Sequence, residues 1–443
     1  MLPEQTAAAL DNRSLVAPGL RDFIQKNLHR DAADWPPREW DFDMLTLAAF
    51  YYHPDLEVAR ADWGVARAGI ETAGARPNPT LSVAPGLNLT TPEPSPWIPV
   101  ATLDVPIETA GKRGKRIAQA QRLSDSARLN IAVTAWQVRG RVRASLLDFS
   151  AAQQRAALLQ DQISMQEQIV RLMEQQVQAG AAAGSEIVTF RIALQKARLD
   201  LAEAQRQRAE ARAALAQSLG LSVRALEEVQ LSPVFPEPTP DGLTTPEIRH
   251  TALLGRADIV AALADYAAAE ASLQLEIARQ YPDVHFGPSY EYDQGDSKWS
   301  LGLAVELPIF NRNQGPIAEA MARRTASAAR FNALQTKVLA DIESAIESYR
   351  ATETNLTMIE ELANTQARAR DAIAGQVAAG AAAPLDLLNA RLEYTVADMG
   401  RLEARLKRQQ SLAAIEDAVQ RPIELITPAV IEASPTAVQE KKP

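Results

Sequence analysis

The sequence of 443 residues contains no cysteine, which excludes disulfide bonds, thiolate metal sites and a lipid anchor on an N-terminal cysteine. Aromatic residues are scarce, at 5% of the chain. No run of about 18 apolar residues occurs, so no transmembrane helix is predicted. The net charge of -9 argues against a nucleic-acid partner. The start, MLPEQTAAALDNRSLV, lacks a basic end and an apolar core, so no signal peptide is predicted in this sequence.

Recognisable catalytic patterns are also missing from the sequence. The four histidines, His29, His53, His250 and His285, are scattered and form no pair at metal-ligand spacing. Neither a G-x-S-x-G motif nor a phosphate-binding loop occurs. We therefore expect no enzyme activity, no metal site and no cofactor.

What the chain does contain is a duplication. The segment QVQAGAAAGSEIVTFRI (176–192) returns as QVAAGAAAPLDLLNARL (376–392), and TLDVPIET (102–109) returns as AVELPIFN (304–311). Two copies of a unit of roughly 200 residues indicate one pseudosymmetric architecture rather than two unrelated domains.

Each copy has the same predicted order, namely a helical segment, two short strands and two long helices joined by a Gly/Ala turn. The predicted organisation is an N-terminal segment (1–42), a first repeat (43–233), a proline-rich linker (234–246), a second repeat (247–420) and a C-terminal tail (421–443).

The helices are predicted from apolar residues that recur at helical spacing. A helix of about 60 residues is about 90 Å long, far beyond the helices of an ordinary globular domain. Abundant alanine lets such helices pack closely, so long antiparallel coiled-coil hairpins are expected. The predicted helices are 43–75, 114–178 and 185–219 in the first copy, and 247–279, 317–377 and 385–419 in the second.

The two turns, AGAAAGS and AGAAAPL, are the best-matched part of the duplication. Gly180 and Gly380 suit the left-handed position that follows a helix. Ser185 is predicted to cap the next helix, and Pro384 suits a first helical turn. Turns without bulky side chains expose their backbone, which suits docking of another helical tip, although the same sequence would also serve as a plain hairpin closure.

Four segments alternate apolar and polar residues, at about 80–90, 97–107, 284–292 and 298–309, and polar loops (TPEPSP and DQGDSK) connect them in pairs. Their length is that of a tilted strand across a bilayer. An open sheet edge is not tolerated in a bilayer, so several chains must share one barrel, and three would give twelve strands. The alternative is a soluble sheet packed on helices. Aromatic residues stand beside the loops, as an interfacial girdle requires: Trp97, Tyr290, Tyr292 and Trp299.

At this point the chain resembles the TolC family of outer-membrane efflux proteins, over residues 43–420. The junctions DVPIETAGKRGKRIAQA (104–120) and ELPIFNRNQGPIAEA (306–320), with ARPNPTLS (75–82), resemble the CzcC-like branch that serves heavy-metal efflux. The resemblance implies a mainly α fold with a small β part: a homotrimer with an α-helical tunnel across the periplasm and a shared twelve-stranded β-barrel in outer-membrane lipid. It also implies a passive duct that works with a periplasmic adaptor and an inner-membrane pump of the RND type.

The resemblance further implies acidic residues at a narrow tunnel mouth. Asp386 stands at the matching position, Asn389 replaces a second acid of some relatives, and Glu186 is the equivalent in the first copy. Carboxylates around one axis would attract cations. The same positions also suit an acid that is favoured by the helix dipole in a first turn. Adaptor docking is expected at the small residues of the two tips: Gly180, Gly184, Ser185, Gly380 and Pro384.

A basic cluster, Lys112, Arg113, Lys115 and Arg116, stands at the first strand–helix junction, and Arg312 stands at the second. Two roles are predicted for it: contact with lipid phosphates, or hydrogen bonds to backbone carbonyls near the rim of the barrel. The main alternative function is a soluble coiled-coil scaffold without transport, which the missing signal peptide would favour. A heavy-metal cargo rests on the junction motifs alone.

Overall fold

The computed structural model describes residues 2–28, 35–90, 95–227, 229–232 and 245–423. Most of the predicted linker and of the C-terminal tail therefore lies outside the described residues. No helix in the described ranges combines the length and the hydropathy needed to cross a membrane. The elements, in chain order, are α1 (Pro3–Asp11), α2 (Pro18–Leu28), β1 (Glu39–Trp40), α3 (Phe42–Tyr52), α4 (Pro54–Gly74), β2 (Thr80–Ala84), β3 (Val100–Ile107), α5 (Lys112–Gln178), α6 (Glu186–Leu219), β4 (Gln230–Leu231), α7 (Thr245–Gly255), α8 (Ala257–Ala278), β5 (Val284–Asp293), β6 (Asp296–Val305), α9 (Gln314–Ala378) and α10 (Pro384–Val419).

The order of elements is duplicated, as the sequence predicts. The series α3–α4, β2–β3, α5–α6 recurs as α7–α8, β5–β6, α9–α10. The chain divides into two compact units. One comprises Met1–Glu57, Thr134–Gly255 and Val338–Pro443, and the other comprises Val58–Val133 and Arg256–Lys337. The first unit holds both hairpin tips, and the second holds the strands β2, β3, β5 and β6.

The long helices form as predicted because nothing in their sequence interrupts them. Helix α5 has 67 residues and α9 has 65. At about 1.5 Å per residue, each is roughly 100 Å long. Their partners α6 and α10 return along them, so each copy supplies one long helical hairpin.

The two shorter helical segments form as predicted, and each contains a break between two helices. His53 separates α3 from α4 with φ -70 and ψ 125, an extended conformation. The residue before a proline avoids the helical region, and Pro54 follows it. Arg256 separates α7 from α8 with a similar extended conformation, φ -69 and ψ 129, although Ala257 rather than a proline follows it. The helical segments predicted over 43–75 and 247–279 therefore each consist of two helices.

The four longer strands form one antiparallel sheet in the order β2-β3-β5-β6. Strands β2 and β3 are shorter than predicted, because Pro85 and Pro99 have no N–H group to donate to the sheet. An isolated bridge between Leu87 and Trp97 continues their pairing beyond Ala84.

The pairing of β5 with β6 reaches closer to the turn than predicted, and β6 ends at Val305 rather than at the predicted position 309. Its turn consists of two residues, Gln294 and Gly295, which have φ values of 52 and 123. Asp293 pairs with Asp296 directly beside the turn. Most of the segment DQGDSK, predicted to be a loop, therefore belongs to the strands.

The N-terminal segment is an integral part of the first unit. Arg13 Nη1 donates hydrogen bonds to the carbonyl oxygens of Tyr52, at 2.8 Å, and Gly220, at 2.9 Å. These carbonyls lie at the C-terminal ends of α3 and α6. Gly220 has φ 70, and a Cβ there would lie 2.9 Å from the Tyr52 oxygen, so glycine is required at this close approach. Arg13 therefore binds the C-terminal ends of both α3 and α6.

A buried ion pair joins the two hairpins within the first unit. Glu416 on α10 accepts hydrogen bonds from Arg139 Nη1, at 2.8 Å, and from Arg143 Nη1, both on α5. Its second oxygen accepts from the backbone N–H of Ile423 at 3.2 Å. The side chains of Glu416 and Arg143 are almost completely buried. The Glu416 carboxylate therefore links α10 of the second hairpin to α5 of the first.

We predict that Glu416→Gln destabilises the protein by about 3–5 kcal/mol, because it leaves two arginines without their shared buried counter-charge. The matched control is Glu403→Gln, which removes an exposed pair with Lys407 at 3.0 Å and should change stability by less than about 1 kcal/mol. Urea unfolding followed by circular dichroism measures both. Equal midpoint shifts for the two variants would show that the buried pair contributes no more than a surface pair.

Candidate functional site: the hairpin tips and the apolar sheet face

The two hairpin tips have the same backbone geometry. In the first tip, the N–H of Gly180 donates to Val177 O at 3.0 Å, and the N–H of Ala181 donates to Gln176 O at 2.8 Å. The second tip repeats both bonds at the same distances. The φ values are 72 at Gly180 and 73 at Gly380, so the predicted left-handed glycines are confirmed. This pattern satisfies the carbonyls at a helix end and reverses the chain direction.

The tips expose backbone rather than side chains. A Cβ built on Gly180, Gly184 or Gly380 would meet no other atom within 4 Å. Helix α10 begins at Pro384, as predicted. Ser185 occupies the position before α6, but its side chain makes no capping hydrogen bond, so the predicted serine cap is wrong.

Instead, an acidic side chain in the first turn of each helix accepts a hydrogen bond from the backbone before that helix. Asp386 Oδ2 accepts a hydrogen bond from the backbone N–H of Ala383 at 3.0 Å, and Glu186 Oε1 accepts from Ala183 N–H at 3.4 Å. Both carboxylates stay exposed, as does Asn389. The structural role of a first-turn acid is therefore present at Asp386, and its charge remains accessible to solutes beside the tip.

Just behind the tips, the two hairpins pack on each other. Ile169, Met173 and Ile187 of the first hairpin form one buried cluster with Leu388 of the second, and Leu392 packs against its side. Further along, Met399 packs against a cluster of Ala156, Leu159 and Ala204. Helix α10 thus uses one row of apolar residues to contact the first hairpin.

The equivalent row of α6 is exposed in the part of the chain that the structure describes. Its residues are Val188, Ile192 and Leu199, which correspond through the duplication to Leu388, Leu392 and Met399; we call them the open stripe. Val188 is 51% exposed, whereas Leu388 is 6% exposed. Ile192 and Leu199 are exposed as well. Sequence reasoning missed this difference, because both rows are equally apolar.

The four-stranded sheet has one apolar face, and that face is uncovered. Its opposite face is polar, with Thr102 Oγ1 and Ser289 Oγ 3.1 Å apart and His285 Nδ1 at 3.0 Å from both carboxylate oxygens of Asp104. Exposed apolar side chains on the other face are Leu81, Val83, Leu87, Trp299, Leu301, Leu303 and Val305. A soluble sheet would bury such a face, so it must meet another apolar medium.

The predicted aromatic residues lie at one end of this sheet. Tyr290 and Trp299 are paired in register, with ring centroids 4.9 Å apart. The carbonyl of Trp97 accepts a hydrogen bond from Gln294 N–H in the neighbouring turn at 3.4 Å, and Tyr292 lies on the same strand as Tyr290, nearer the turn. The structure therefore brings together residues that are almost 200 positions apart in sequence.

At the other end of the sheet, the first strand–helix junction uses its arginines as helix caps. Arg113 Nε donates to Gly74 O at 2.6 Å, and Arg116 Nε donates to Ala73 O at 3.3 Å. Arg116 also forms an ion pair with Glu108. The role in satisfying carbonyls is therefore confirmed for both arginines, which interact with the C-terminal end of α4.

Lys112 and the second strand–helix junction also form hydrogen bonds and ion pairs. Lys112 Nζ lies 2.8 Å from Asp283 Oδ1, and the same carboxylate oxygen accepts from Thr109 N–H at 2.8 Å. In the second copy, Asn313 Nδ2 donates to Glu276 O at 2.8 Å. A side-chain amide therefore caps the C-terminal end of α8, whereas arginines cap that of α4. The side chain of Arg312 is exposed.

Two of the histidines, His53 and His285, have local partners. His53 is buried, and its Nδ1 accepts from Asp55 N–H at 3.2 Å; burial lowers the pKa of His53, which favours the neutral ring. His285 pairs with Asp104, and His29 lies outside the described residues. Within the described part of the chain, no three His, Asp or Glu side chains come together as a metal site would require.

Comparison with known proteins places these features in a family. Residues 49–221 and 248–419 each match the outer membrane efflux protein family, one match for each copy of the duplication. The cobalt-zinc-cadmium resistance protein CzcC of Cupriavidus metallidurans is 28% identical over 271 residues, which cover 60% of this chain and 62% of that relative.

Solved structures share the fold. VceC, an outer membrane protein of Vibrio cholerae, superposes with a TM-score of 0.70 at 18% identity, covering 86% of this chain and 96% of that chain. The CmeC outer membrane channel of Campylobacter jejuni superposes with a TM-score of 0.71 at 16% identity, covering 85% of each chain. With both copies matched and the fold shared, this chain belongs to the outer membrane efflux protein family.

Proposed function

We propose that the protein is the outer-membrane channel of a tripartite efflux system, a passive duct across the periplasm and the outer membrane. The observation that carries the proposal is the uncovered apolar face of the four-stranded sheet, which ends in the aromatic cluster of Tyr290 and Trp299. Lipid would cover this face, and the aromatic rings would lie at the interface. A coiled-coil scaffold in water gains nothing from such a face.

The sheet also supports assembly from several copies. Strands β2 and β6 are its edges, and their outer backbone groups cannot remain unpaired in hydrocarbon. Pairing β6 of one copy with β2 of the next closes a barrel, and three copies give twelve strands. We therefore propose a homotrimer.

The helical hairpins support the same ring. Within one chain, the row containing Leu388 and Leu392 covers the first hairpin. The open stripe repeats that row on the first hairpin, so it suits the second hairpin of a neighbouring copy. A head-to-tail contact of this kind closes into a ring when the rotation between copies allows it. Six hairpins would then enclose one tunnel.

The tips are the proposed docking surface for a periplasmic adaptor, which would connect the duct to an inner-membrane pump. Gly180, Gly184, Ser185, Gly380 and Pro384 present backbone with little side-chain bulk. Such a surface allows another helical tip to approach closely.

Asp386, with Glu186 and Asn389 beside it, is the proposed constriction at the tunnel mouth. The hydrogen bond from Ala383 N–H holds the Asp386 carboxylate close to the tip. Three copies around one axis would concentrate negative charge in a small opening and favour cations.

Heavy-metal cations are the proposed cargo, because a relative named for cobalt, zinc and cadmium resistance shares 28% identity. The described residues hold no cluster of metal ligands, so the duct would pass such ions without binding them firmly. The choice of substrate would then belong to the pump rather than to this chain.

For assembly, we predict that detergent-extracted protein contains three chains and that Ile192→Glu reduces the trimer fraction, because it places a charge in the open stripe. Gln205→Glu is the matched control, since this exposed residue lies on the opposite side of α6 by the 3.6-residue period. Mass photometry measures both. A parent protein that is a stable monomer in the soluble fraction would refute the barrel.

For docking, we predict that Gly380→Trp abolishes metal export from cells without lowering the yield of trimer, because the indole blocks tip-to-tip contact. Gly380→Asn is the control, since asparagine tolerates the left-handed conformation and adds little bulk. Export in cells and trimer yield are both measured. Normal export by the tryptophan variant would place the docking surface elsewhere.

For the constriction, we predict that Asp386→Asn lowers cation preference in a planar bilayer and raises the concentration of a trivalent cation needed for block. Asparagine can still accept the bond from Ala383 N–H, so the helix start should lose no more than about 1 kcal/mol. Glu186→Gln tests the equivalent acid of the first copy. If selectivity and block equal those of the parent, Asp386 serves only as a helix cap.

A further inference from the structure

A groove runs along helix α10 in the first compact unit, between the hairpin tips and the middle of the helix. Helices α5 and α9 border it on either side, and its volume is about 580 Å³. Its apolar lining includes Ile359 and Leu362 of α9 and Val396 of α10. Leu362 is 48% exposed and Val396 is 57% exposed. None of these residues belongs to the open stripe or to the tips, so the proposed function gives the groove no role.

Two glutamines, about one helical turn apart on α5, form a polar side of this groove. Gln162 and Gln166 both line it. Their Oε1 atoms are buried and, among the described residues, meet no hydrogen-bond donor. A buried carbonyl oxygen without a donor carries a desolvation penalty. Rotation about the soft χ3 torsion exchanges the oxygen and nitrogen ends of a glutamine amide. The two oxygens can therefore turn toward a donor that enters the groove.

The charge of the groove is negative. Glu393 of α10 supplies an exposed carboxylate, and no lysine or arginine is among the described residues that line the groove. The adjoining groove, which shares Gly400, differs because it contains Arg155 together with Asp148. A carboxylate and two carbonyl oxygens attract a cation that can donate hydrogen bonds, whereas the apolar residues attract hydrocarbon. The lining therefore suits a solute that has both parts.

The groove lies on the face of the hairpins that would line the tunnel. Asp148, Arg155 and Gln162 follow one another at intervals of seven residues, so the two adjoining grooves share one face of α5. The segment around β1 and β4 occupies the other face of the first hairpin, where Arg212 Nη2 of α6 donates to Leu226 O at 2.6 Å. In the proposed ring, a wall that is covered on this side leaves the groove side for the tunnel.

We propose that this groove is a weak binding site for protonated amines that carry an apolar body. The ammonium N–H groups donate to the oxygens of Gln162 and Gln166, with the Glu393 carboxylate beside the charge. The apolar body packs on Leu362 and Val396. The proposal rests on the proposed function, because this face borders a tunnel only in the assembled ring. An open groove binds weakly, and a solute must leave a passive duct as readily as it enters.

Fluorine NMR on the purified trimer in detergent tests the proposal with 4-(trifluoromethyl)benzylamine, which is protonated at neutral pH. Binding broadens the fluorine signal of this probe, and a titration gives its dissociation constant. Two comparison compounds keep the aromatic body. The corresponding benzyl alcohol has no charge, and the trimethylated amine has the charge but no N–H group. Micelles without protein give the baseline. We expect both compounds to bind about tenfold more weakly than the amine, because neither can form a charge-assisted hydrogen bond.

Variants of the lining locate the bound amine. Gln162→Leu combined with Gln166→Leu removes both acceptors and should weaken binding of the amine about tenfold. Gln168→Leu is the matched control, since this glutamine is exposed on α5 and lies outside the groove lining, and it should leave the dissociation constant unchanged. Because the chain contains no cysteine, Val396→Cys provides a single thiol. This thiol should react with a water-soluble maleimide in the trimer, and the amine should slow the reaction.

Equal binding of the amine and either comparison compound would overturn the proposal, and this comparison needs no variant to fold. Equal binding of the amine by the double variant and the parent would overturn it as well. A thiol at position 396 that does not react in the trimer would show that another copy covers the groove, with the same consequence. Conductance in a planar bilayer tests the proposed function separately. A conducting trimer that binds no amine refutes the groove alone, whereas protein that forms no conducting trimer refutes the channel.

Discussion

The edge strands β2 and β6 carry backbone groups whose hydrogen bonds must be completed outside the sheet. Water would satisfy these groups, but the apolar face of the same sheet is uncovered and requires a medium without water. Both demands can be met together only if the edges pair with edges of other copies. The proposed ring of chains and the position of the aromatic cluster at one end of the sheet both depend on this constraint.

The two copies of the repeat make different contacts, although their sequences are similar. A row of apolar residues on α10 is covered within the chain, whereas its counterpart on α6 is open. At the strand–helix junctions, arginines bind the end of α4, whereas Asn313 binds the end of α8. One chain therefore contains two similar halves in different surroundings, as expected when a ring is assembled from fewer chains than it has hairpins.

Much of the fold could be predicted from the sequence, because helical spacing and the lack of interruption decide where the long helices run. The left-handed glycines of the tips were predictable for the same local reason. The breaks at His53 and Arg256 were missed because apolar spacing continues across them, although Pro54 signals the first. For the candidate site, Asp386 was located correctly in the first turn, but its bond to Ala383 depends on the geometry of the tip. The exposure of Val188 depends on tertiary contacts that no local pattern encodes.

The central strand pairing has a consequence for how the chain folds. Strand β3 pairs with β5, from Val100 with Glu291 to Ile107 with Val284, so the whole first helical hairpin lies between two strands that must find each other. Local helical contacts form early, whereas a pairing across such a long loop is slow. During synthesis and export, the apolar residues of β2 and β3 therefore stay exposed until β5 is available for pairing. That interval is when the protein is most prone to aggregate and would gain most from a chaperone that binds extended apolar strands.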